Sequence, residues 1–189
     1  MLSFYSQLFL LIKFTYAFQT GSAGNNITYI LEENNLTIYG FGDIYNFSEG
    51  STPWYENRTQ ITSVTILPNI TSIGEYSFQA CSNLVSVLIS DDVTTINHYA
   101  FHKCYSLETI ILPNNITFIG ALSFGICSKL KTVKLPEKLT LIHNFMFNYC
   151  DSLNTIKIPD SVTVFGRYCF RWCHNLISID MPDTVRTIG

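Results

Sequence analysis

The chain has 189 residues, of which 47% are apolar and only 13% are charged, and its formal net charge is −3. A nucleic-acid-binding protein shows a clustered excess of lysine and arginine, which this composition excludes. The apolar fraction is ample for a buried core, so we expect a folded protein with no nucleic-acid partner.

Residues 1–23 have features of a secretory signal or leader. An apolar run covers residues 8–12, and small residues that suit cleavage lie near Ala17 and Ala23. Lys13 interrupts the run, so a retained leader on an intracellular protein stays open as the alternative. A transmembrane helix needs ~20 apolar residues, and we expect no integral membrane segment beyond the leader.

Residues 24–60 are predicted to form an N-terminal cap. Residues 27–31 and 36–39 alternate as two short strands, and residues 40–43 suit a turn. A phenylalanine and a cysteine recur every 23 residues later in the chain. Counting back by this interval places Tyr55 at the phenylalanine position and Arg58 at the cysteine position. An atypical first unit is what a repeat protein needs at its end, so Trp54 is expected to pack over the first regular unit.

From residue 61 the chain repeats an apolar pattern every 23 residues without a slip. A cysteine recurs at this interval, with a phenylalanine three residues before it and a leucine three residues after it. Such regularity is the signature of a repeat architecture, in which each unit buries its apolar face against its neighbours. We expect residues 61–189 to form roughly five and a half stacked coils without a C-terminal cap. The repeated cysteines are Cys81, Cys104, Cys127, Cys150 and Cys173.

Each coil begins with a Leu-x-x-Val/Ile-x-Leu/Ile segment, predicted to be a strand with one buried face. A second apolar segment follows, and then a short aromatic segment that we expect to form one helical turn before the cysteine. A glycine usually closes the second segment, and its tolerance of positive φ predicts a left-handed turn residue there. These positions are Gly74, Gly120, Gly166 and Gly189, replaced in two coils by Asn97 and His143.

The repeat resembles the BspA-like leucine-rich-repeat surface proteins. Residues 158–176 follow that family's order of proline, valine-threonine, glycine, phenylalanine, cysteine and leucine, and the match extends over residues 61–189. The resemblance implies a repeat solenoid of β-dominated α/β class. Its coils would form a curved parallel sheet on one face, with short strands and helical turns on the other. It also implies a secreted or cell-surface protein of a microbe or protozoan, used in adhesion to host matrix, host cells or other microbes.

The chain stops in the middle of a coil, and we therefore expect a truncated product or a fragment of a longer protein. Stacked side chains in one column point the same way, so the cysteines are expected to be buried free thiols rather than disulfides.

Two groups have the residue types of a metal site: His98, His102 and Cys104, and Cys169, Cys173 and His174. The slots of His98 and His102 hold unrelated residues in other coils, which predicts exposed outer turns. We predict no metal, no cofactor and no catalytic residue.

The outward positions of the first strand form two columns. The hydroxyl column is Ser63, Ser86, Thr109, Thr132, Thr155 and Ser178, and the mixed column is Thr65, Leu88, Ile111, Lys134, Lys157 and Asp180. An apolar spot bordered by charge on a concave sheet suits a protein partner. The resemblance implies that this partner is a host extracellular-matrix or cell-surface protein. The predicted partner-binding residues are Leu88, Ile111, Lys131, Lys134, Lys157 and Asp180. Solvated β-formers with no partner are the alternative.

Six Asn-x-Ser/Thr sequons fit a glycosylated, secreted chain, although turn asparagines would give the same pattern. The predicted sites are Asn26, Asn35, Asn46, Asn57, Asn69 and Asn115. An adhesion module is the first functional hypothesis, and an intracellular scaffold with the same solenoid is the second. A β-helical polysaccharide enzyme is the third, and it is disfavoured because Glu108 and Asp180 would lie roughly 14 Å apart at the ladder spacing.

Overall fold

A computed structural model describes residues 18–189, which form a β-solenoid. We number the coils from residue 61: coils 1 to 5 are residues 61–83, 84–106, 107–129, 130–152 and 153–175, and residues 176–189 are a partial coil. Each complete coil has three sides: a first strand, a second strand, and a run of turns that ends at the cysteine. The predicted repeat solenoid with parallel sheets is confirmed.

The cap begins with three antiparallel strands, β1 (Phe18–Gly24), β2 (Ile27–Glu32) and β3 (Asn35–Gly40). The two predicted strands are β2 and β3. Strand β1 includes residues 18–23, which the sequence assigned to the leader, and residues 1–17 of that segment lie outside the described residues. The predicted turn at residues 40–43 is partly wrong, because β4 (Gly42–Asp43) pairs with a strand of coil 1.

The first side is a ladder of short parallel strands that continues from β3. Its strands are β5 (Ser63–Ile66), β7 (Ser86–Ile89), β9 (Thr109–Ile111), β11 (Thr132–Lys134), β13 (Thr155–Lys157) and β15 (Ser178–Asp180). The second side continues from β4 in the same way. Its strands are β6 (Ile70–Ile73), β8 (Thr95–Ile96), β10 (Phe118–Ile119), β12 (Leu141–Ile142), β14 (Val164–Phe165) and β16 (Thr187–Ile188).

The third side consists of turns, so the predicted helical turns are wrong. Over residues 18–189, the one helical element is a 3-10 helix at Tyr55–Asn57 in the cap. The turns form a hydrogen-bonded ladder of their own: the N–H of Phe78 donates to the carbonyl of Ala100 at 2.8 Å, and that of Phe101 to Ser123 at 2.8 Å. Some N–H groups of each turn thus bond to the next coil, while others close turns within their own coil, as from Gln79 to the carbonyl of Tyr76 at 3.1 Å.

The left-handed residues that recur in every complete coil lie on this third side, and they are not glycines. Each coil has one five residues and one immediately before its cysteine, as at Tyr76 (φ 56) and Ala80 (φ 57) in coil 1. A left-handed L-residue costs about 1–2 kcal/mol, which the bonds between coils and the stacking of neighbouring rings offset. Tyr76 and Tyr99, for example, stack with ring centroids 4.7 Å apart.

The glycine column has a different cause from the predicted one. Gly74, Gly120 and Gly166 do not adopt positive φ. A Cβ on Gly74 would lie against the backbone carbonyl oxygen of Tyr45, and one on Gly120 would lie 2.6 Å from the backbone nitrogen of His98. At these three glycines the cap or the preceding coil approaches too closely for a side chain, whereas Asn97 and His143 fill the slot in coils 2 and 4.

A single file of stacked rings runs through the core, which otherwise consists mainly of aliphatic side chains. Phe78, Phe101, Phe124 and Phe147 are fully buried, and their neighbouring ring centroids are 5.1 to 5.7 Å apart. The predicted packing of Trp54 is confirmed: it is fully buried, it stacks on Phe78 at 6.0 Å, and its indole N–H donates to the Ser77 carbonyl at 2.9 Å. Trp54, rather than Tyr55, therefore occupies the phenylalanine slot of the cap.

The cysteines form a second file beside the rings. All six cysteines are free, and Cys104, Cys127 and Cys150 are fully buried. Each of these three thiols donates to the carbonyl of the phenylalanine 26 residues earlier, as from Cys127 to Phe101 at 3.2 Å. The predicted buried free thiols are confirmed, with the addition that they bond one coil to the previous one.

Candidate protein-binding surface

Within each hydrogen-bonded sheet of the first side, both outward columns have the register that the repeat predicts. In the hydroxyl column Thr132 lies between Thr109 and Thr155, and in the mixed column Lys134 lies between Ile111 and Lys157. The alternate residues of the same strands, such as Val133, point inward and are buried. Each column is therefore a row of solvent-facing side chains on the first side, to which each coil contributes one residue.

An apolar patch lies where the mixed column passes from coil 2 to coil 3. The exposed fractions are 65% for Leu88 and 77% for Ile111, and Val85 adds a third apolar side chain at 53%. These are large values for aliphatic residues, which a folded protein usually covers. The patch is a candidate contact area for a partner.

The apolar patch coincides with a division of the first-side ladder. Strands β1, β2, β3, β5 and β7 form one hydrogen-bonded sheet, while β9, β11, β13 and β15 form another. Strands β7 and β9 remain neighbours across the division. Leu88 and Ile111 therefore lie on neighbouring strands that belong to two separate sheets.

The predicted lysines differ in their partners. Lys131 Nζ lies 2.7 Å from Glu108 Oε2, and this lysine lowers the pKa of the Glu108 carboxyl. Lys134 and Lys157 are exposed and paired in register, and Asp180 follows Lys157 in the next strand. The positive charge next to the apolar patch therefore comes from Lys134 and Lys157, because that of Lys131 is neutralised locally.

Two shallow depressions lie beside these lysines. The larger, about 490 Å³, is lined by Lys131, Asn154, His174 and Ile177 among others. The smaller, about 110 Å³, lies between Lys134 and Lys157. Both open toward solvent, which suits side chains of a protein partner better than an enclosed small molecule.

The two groups considered as metal sites lie on the third side. In residues 18–189 no three His, Cys, Asp or Glu side chains converge as metal ligands would. Burial raises the pKa of the Cys173 thiol to about 11 and holds that of Cys104 well above its ordinary value, which opposes thiolate ligation. His174 instead pairs with Asp151.

The prediction that the His102 slot is an exposed turn is wrong. His102 is 8% exposed, Gln79 and Asn148 in the same slot are 7% and 8% exposed, and Gly125 is also buried. The slot faces the neighbouring coils along the third side, which cover its residue in coils 1 to 4. Arg171, in the same slot of coil 5, is exposed. Burial lowers the pKa of His102 to about 4.

The sequon asparagines are accessible in this structure. Five are exposed and Asn57 is partly exposed. Asn35 pairs in register with Ser63 at the start of the hydroxyl column, whereas Asn69 and Asn115 occupy the same turn slot two coils apart. Residues 118–189 contain no sequon, so the lysine-bearing strands β11 and β13 lie in the part of the chain without one.

Sequence reasoning missed exposed aromatic residues on the third side. Tyr149, Tyr168 and Trp172 are 45%, 55% and 43% exposed. Their signal was present, since aromatic residues recur five residues and one residue before the cysteines of coils 4 and 5. It was hidden because a predicted helical turn would not align these side chains in columns.

Within residues 18–189, no helix is both long and apolar enough to cross a membrane. A coil of two short parallel strands, with an inward Leu-x-x-Val/Ile-x-Leu/Ile segment at every turn, defines a leucine-rich-repeat solenoid. The family model of the BspA type leucine rich repeat region, with six copies, matches residues 51–177. The chain belongs to this family.

Solved structures with the same fold include three bacterial proteins. The chain is 26% identical to a leucine-rich cell surface protein from Faecalibacterium prausnitzii A2-165, with a TM-score of 0.64 over 85% of this chain and 54% of that one. A leucine-rich repeat protein from Bacteroides ovatus ATCC 8483 is 21% identical, with a TM-score of 0.63 over 94% of this chain and 55% of that one.

The pneumococcal vaccine antigen PcpA is 22% identical, with a TM-score of 0.62 over 90% of this chain and 51% of that one. The chain thus spans about half the length of each of these proteins, and the two lower identities support the fold alone. A search of curated proteins gave no match.

Proposed function

We propose that this chain is a non-enzymatic protein-binding module, secreted or held at the cell surface, that adheres to host matrix or host cells. The observation that carries the proposal is the apolar patch of Leu88 and Ile111 next to the free cations of Lys134 and Lys157. Surface apolar residues rimmed by charge are typical of protein interaction sites. Lys131 and Asp180 form the edge of the same surface.

The state of Glu108 supports a non-enzymatic role. A glycosidase-type general acid needs a carboxyl whose pKa is raised so that it holds a proton near neutral pH. The ammonium of Lys131 lowers the pKa of Glu108 instead. The Glu108 carboxylate is therefore an ion-pair partner. The polysaccharide-enzyme hypothesis is weakened, because Glu108 was its candidate general acid.

The binding proposal is tested with the combined variant Leu88→Ser, Ile111→Ser, Lys134→Glu and Lys157→Glu. We expect it to lose binding to immobilised basement-membrane extract and to intact host cells, with a melting temperature close to that of the unmodified chain, because all four side chains are exposed. The control variant carries Phe41→Ser, Lys138→Glu and Arg186→Glu, which change exposed residues elsewhere. Binding that survives the first variant, or falls equally in the control, would reject this face.

An intracellular scaffold is the second candidate, and the six free cysteines favour it, because free thiols are usual in reducing compartments. Glycosylation at Asn26, Asn35, Asn46, Asn57, Asn69 or Asn115 would occur only on the secretory route. We expect a mass decrease after N-glycosidase treatment of protein from its own cells. An unchanged mass together with an intact N-terminus would support the scaffold.

Strand β1 bears on where a leader would be removed. Ala23 is fully buried, and its carbonyl accepts the N–H of Tyr45 at 2.8 Å. Cleavage near Ala23 would remove β1, whereas cleavage near Ala17 would keep it. We therefore propose Ala17 as the site, and N-terminal sequencing of the mature protein provides the test.

A further inference from the structure

The second-side ladder is interrupted between coils 3 and 4. At each other junction between complete coils, two backbone bonds flank the paired strands, as from the N–H of Gly120 to the carbonyl of Ile96 at 2.8 Å. Among the described residues, no such bond joins Thr140 or His143 of coil 4 to coil 3, and β10 and β12 belong to different sheets. The first and third sides of this junction remain hydrogen-bonded, so the interruption is confined to one side.

A histidine in the glycine column accounts for the interruption. A Cβ on Gly120 or Gly166 would lie 2.6 or 2.5 Å from a backbone nitrogen of the preceding coil, so a side chain in this column presses against that coil. His143 holds the column in coil 4 and brings a whole imidazole to the place where the ladder is interrupted. Asn97 is tolerated in coil 2, because its smaller amide donates to the Ile73 carbonyl at 3.1 Å, and the ladder continues there.

A second histidine packs into the same corner. The ring centroids of His98 and His143 are 5.6 Å apart, and both rings contact Phe118 edge-on, with centroids at 5.9 and 5.5 Å. His98 Nδ1 accepts the N–H of Ala121 at 2.8 Å, which links coil 2 to coil 3. An imidazole that accepts at Nδ1 has no proton there and is therefore neutral.

Asparagines make the same bond at two other junctions. Between coils 4 and 5, Asn144 Oδ1 accepts the N–H of Arg167 at 2.7 Å. Between the cap and coil 1, Asn46 Oδ1 accepts the N–H of Glu75 at 2.9 Å. An amide oxygen accepts at any pH, whereas an imidazole nitrogen loses its acceptor when it is protonated. The bond to Ala121 is thus the acid-sensitive one of the three.

The surroundings of the histidine pair disfavour a positive charge. Burial lowers the pKa of His143, and the neighbouring His98 lowers it further. Charged residues of the His98 column are Glu75 in coil 1 and Arg167 in coil 5, and neither forms one of the two ion pairs found within residues 18–189. The column of Phe118 carries no charge in the other complete coils, where it holds Ser72, Thr95, Leu141 and Val164.

The sign of the pH effect follows from this environment. Because the folded chain holds the pKa of His143 below the ordinary histidine value, the unfolded chain takes up a proton first as the pH falls. The stability of this corner is therefore complete above about pH 6.5 and decreases below it.

We propose that His98 and His143 form an acid-operated hinge at the junction of coils 3 and 4. When both rings are protonated, His98 releases the Ala121 N–H and the two cations repel each other, so that coil 4 separates from coil 3 on the second side. Strands β9 and β11 stay paired on the first side and form the axis of the hinge. Because Ile111 and Lys134 lie on these strands, acid changes the shape of the candidate binding surface without removing any of its residues.

NMR spectroscopy of the unmodified chain at pH 7 and pH 5 tests the hinge without a partner. We expect the protection of the Ala121 amide from hydrogen exchange to fall roughly tenfold at pH 5, while that of the Arg167 amide, whose acceptor is Asn144, stays within about twofold. The nuclear Overhauser contact between the Phe118 and His143 rings should disappear at pH 5. An equal loss of protection at both amides would show general destabilisation and overturn the proposal, as would a ring contact that persists at pH 5.

The stacked pair Phe124 and Phe147 is the internal control for the ring contact. These rings join coils 3 and 4 in the core, with centroids 5.7 Å apart, and their contact should persist at both pH values. Its loss at pH 5 would mean that the two coils separate completely, which contradicts a hinge.

Two variants copy residues that the chain uses in other coils. His98→Asn keeps an acceptor for Ala121 that does not titrate, and it should make the protection of this amide equal within about twofold at the two pH values. His143→Gly restores the glycine of the column and should close the ladder, so that the Thr140 amide gains roughly tenfold protection at pH 7. The control His102→Gln removes another histidine of coil 2 and should leave the ratio of Ala121 to Arg167 protection unchanged. A fall in Ala121 protection at pH 5 that survives His98→Asn would reject the hinge.

Discussion

Coil 1 and coil 5 carry the same inward signature but differ in how well it is buried. Phe78 and Cys81 are fully buried, whereas Phe170 and Cys173, at the same positions, are only partly buried. Coil 1 is covered by the cap on one side and coil 2 on the other. The comparison teaches that the burial of a repeat residue depends on the neighbouring coil, not only on its own identity.

The largest expected difference is between the two tryptophans. Trp54→Ala removes the ring that covers Phe78 and the bond to the Ser77 carbonyl, and should lower the free energy of unfolding by about 3–5 kcal/mol. Trp172→Ala removes a half-exposed ring and should cost about 1 kcal/mol or less. Urea titration of both variants measures the contrast, and similar losses would show that the cap does not close the core.

The His102 slot of coil 2 should be more sensitive to acid than the same slot of coil 4, which holds Asn148. Because burial lowers the pKa of His102 to about 4, the unfolded chain binds a proton that the folded chain does not between pH 6.5 and 4. Stability is therefore complete above about pH 6.5 and falls as the pH drops toward 4. Allowing for solvent screening of the full shift, we expect His102 to account for a loss of about 1 kcal/mol at pH 5.

The variant His102→Gln, which copies Gln79 in the same slot of coil 1, should remove this part of the acid sensitivity. The matched variant Asn148→Gln changes the same slot of coil 4 without removing a titratable group, and it should keep the slope of stability between pH 7 and 5. Urea titrations at the two pH values give the comparison. An unchanged slope for His102→Gln would contradict the buried environment of this side chain.

The smallest expected difference is between the thiols of Cys104 and Cys173. Cys104→Ala removes a fully buried sulphur and its bond to the Phe78 carbonyl, which should cost about 1–2 kcal/mol. Cys173 makes the same bond to Phe147 but is only partly buried, so Cys173→Ala should cost about half as much. A thiol reagent should also modify Cys173 before Cys104 in the native protein. The reverse order would contradict the deeper burial of Cys104.

The sequence predicted the positions at which every coil needs the same kind of side chain. The phenylalanine, cysteine and leucine columns, the two strands of each coil and the register of the outward columns all follow from the 23-residue period. Leu88 and Ile111 could be placed on the first side for the same reason, since a strand alternates inward and outward residues. The function of that surface stays a proposal, because exposure alone does not identify a partner.

The sequence did not predict the reasons behind two other columns. Glycine at Gly74 and Gly120 suggested left-handed backbone, but the structure shows close contact between coils there and places the left-handed residues at Tyr76 and Tyr99. A tyrosine gives no local sign that it adopts positive φ, since its own preference opposes it. Similarly, the variable slot of His102 suggested exposure, although the adjoining coils cover it.

The amino-acid sequence by itself determined the period, the inward columns and therefore the leucine-rich-repeat solenoid, because each coil needs the same apolar residues to cover its neighbours. Only the tertiary structure decided which side chains are exposed between those columns, where the first-side ladder divides, and that His98 and His143 meet at Phe118. These features depend on contacts between residues of different coils. Such contacts arise from how closely two backbones approach, which no single repeat encodes.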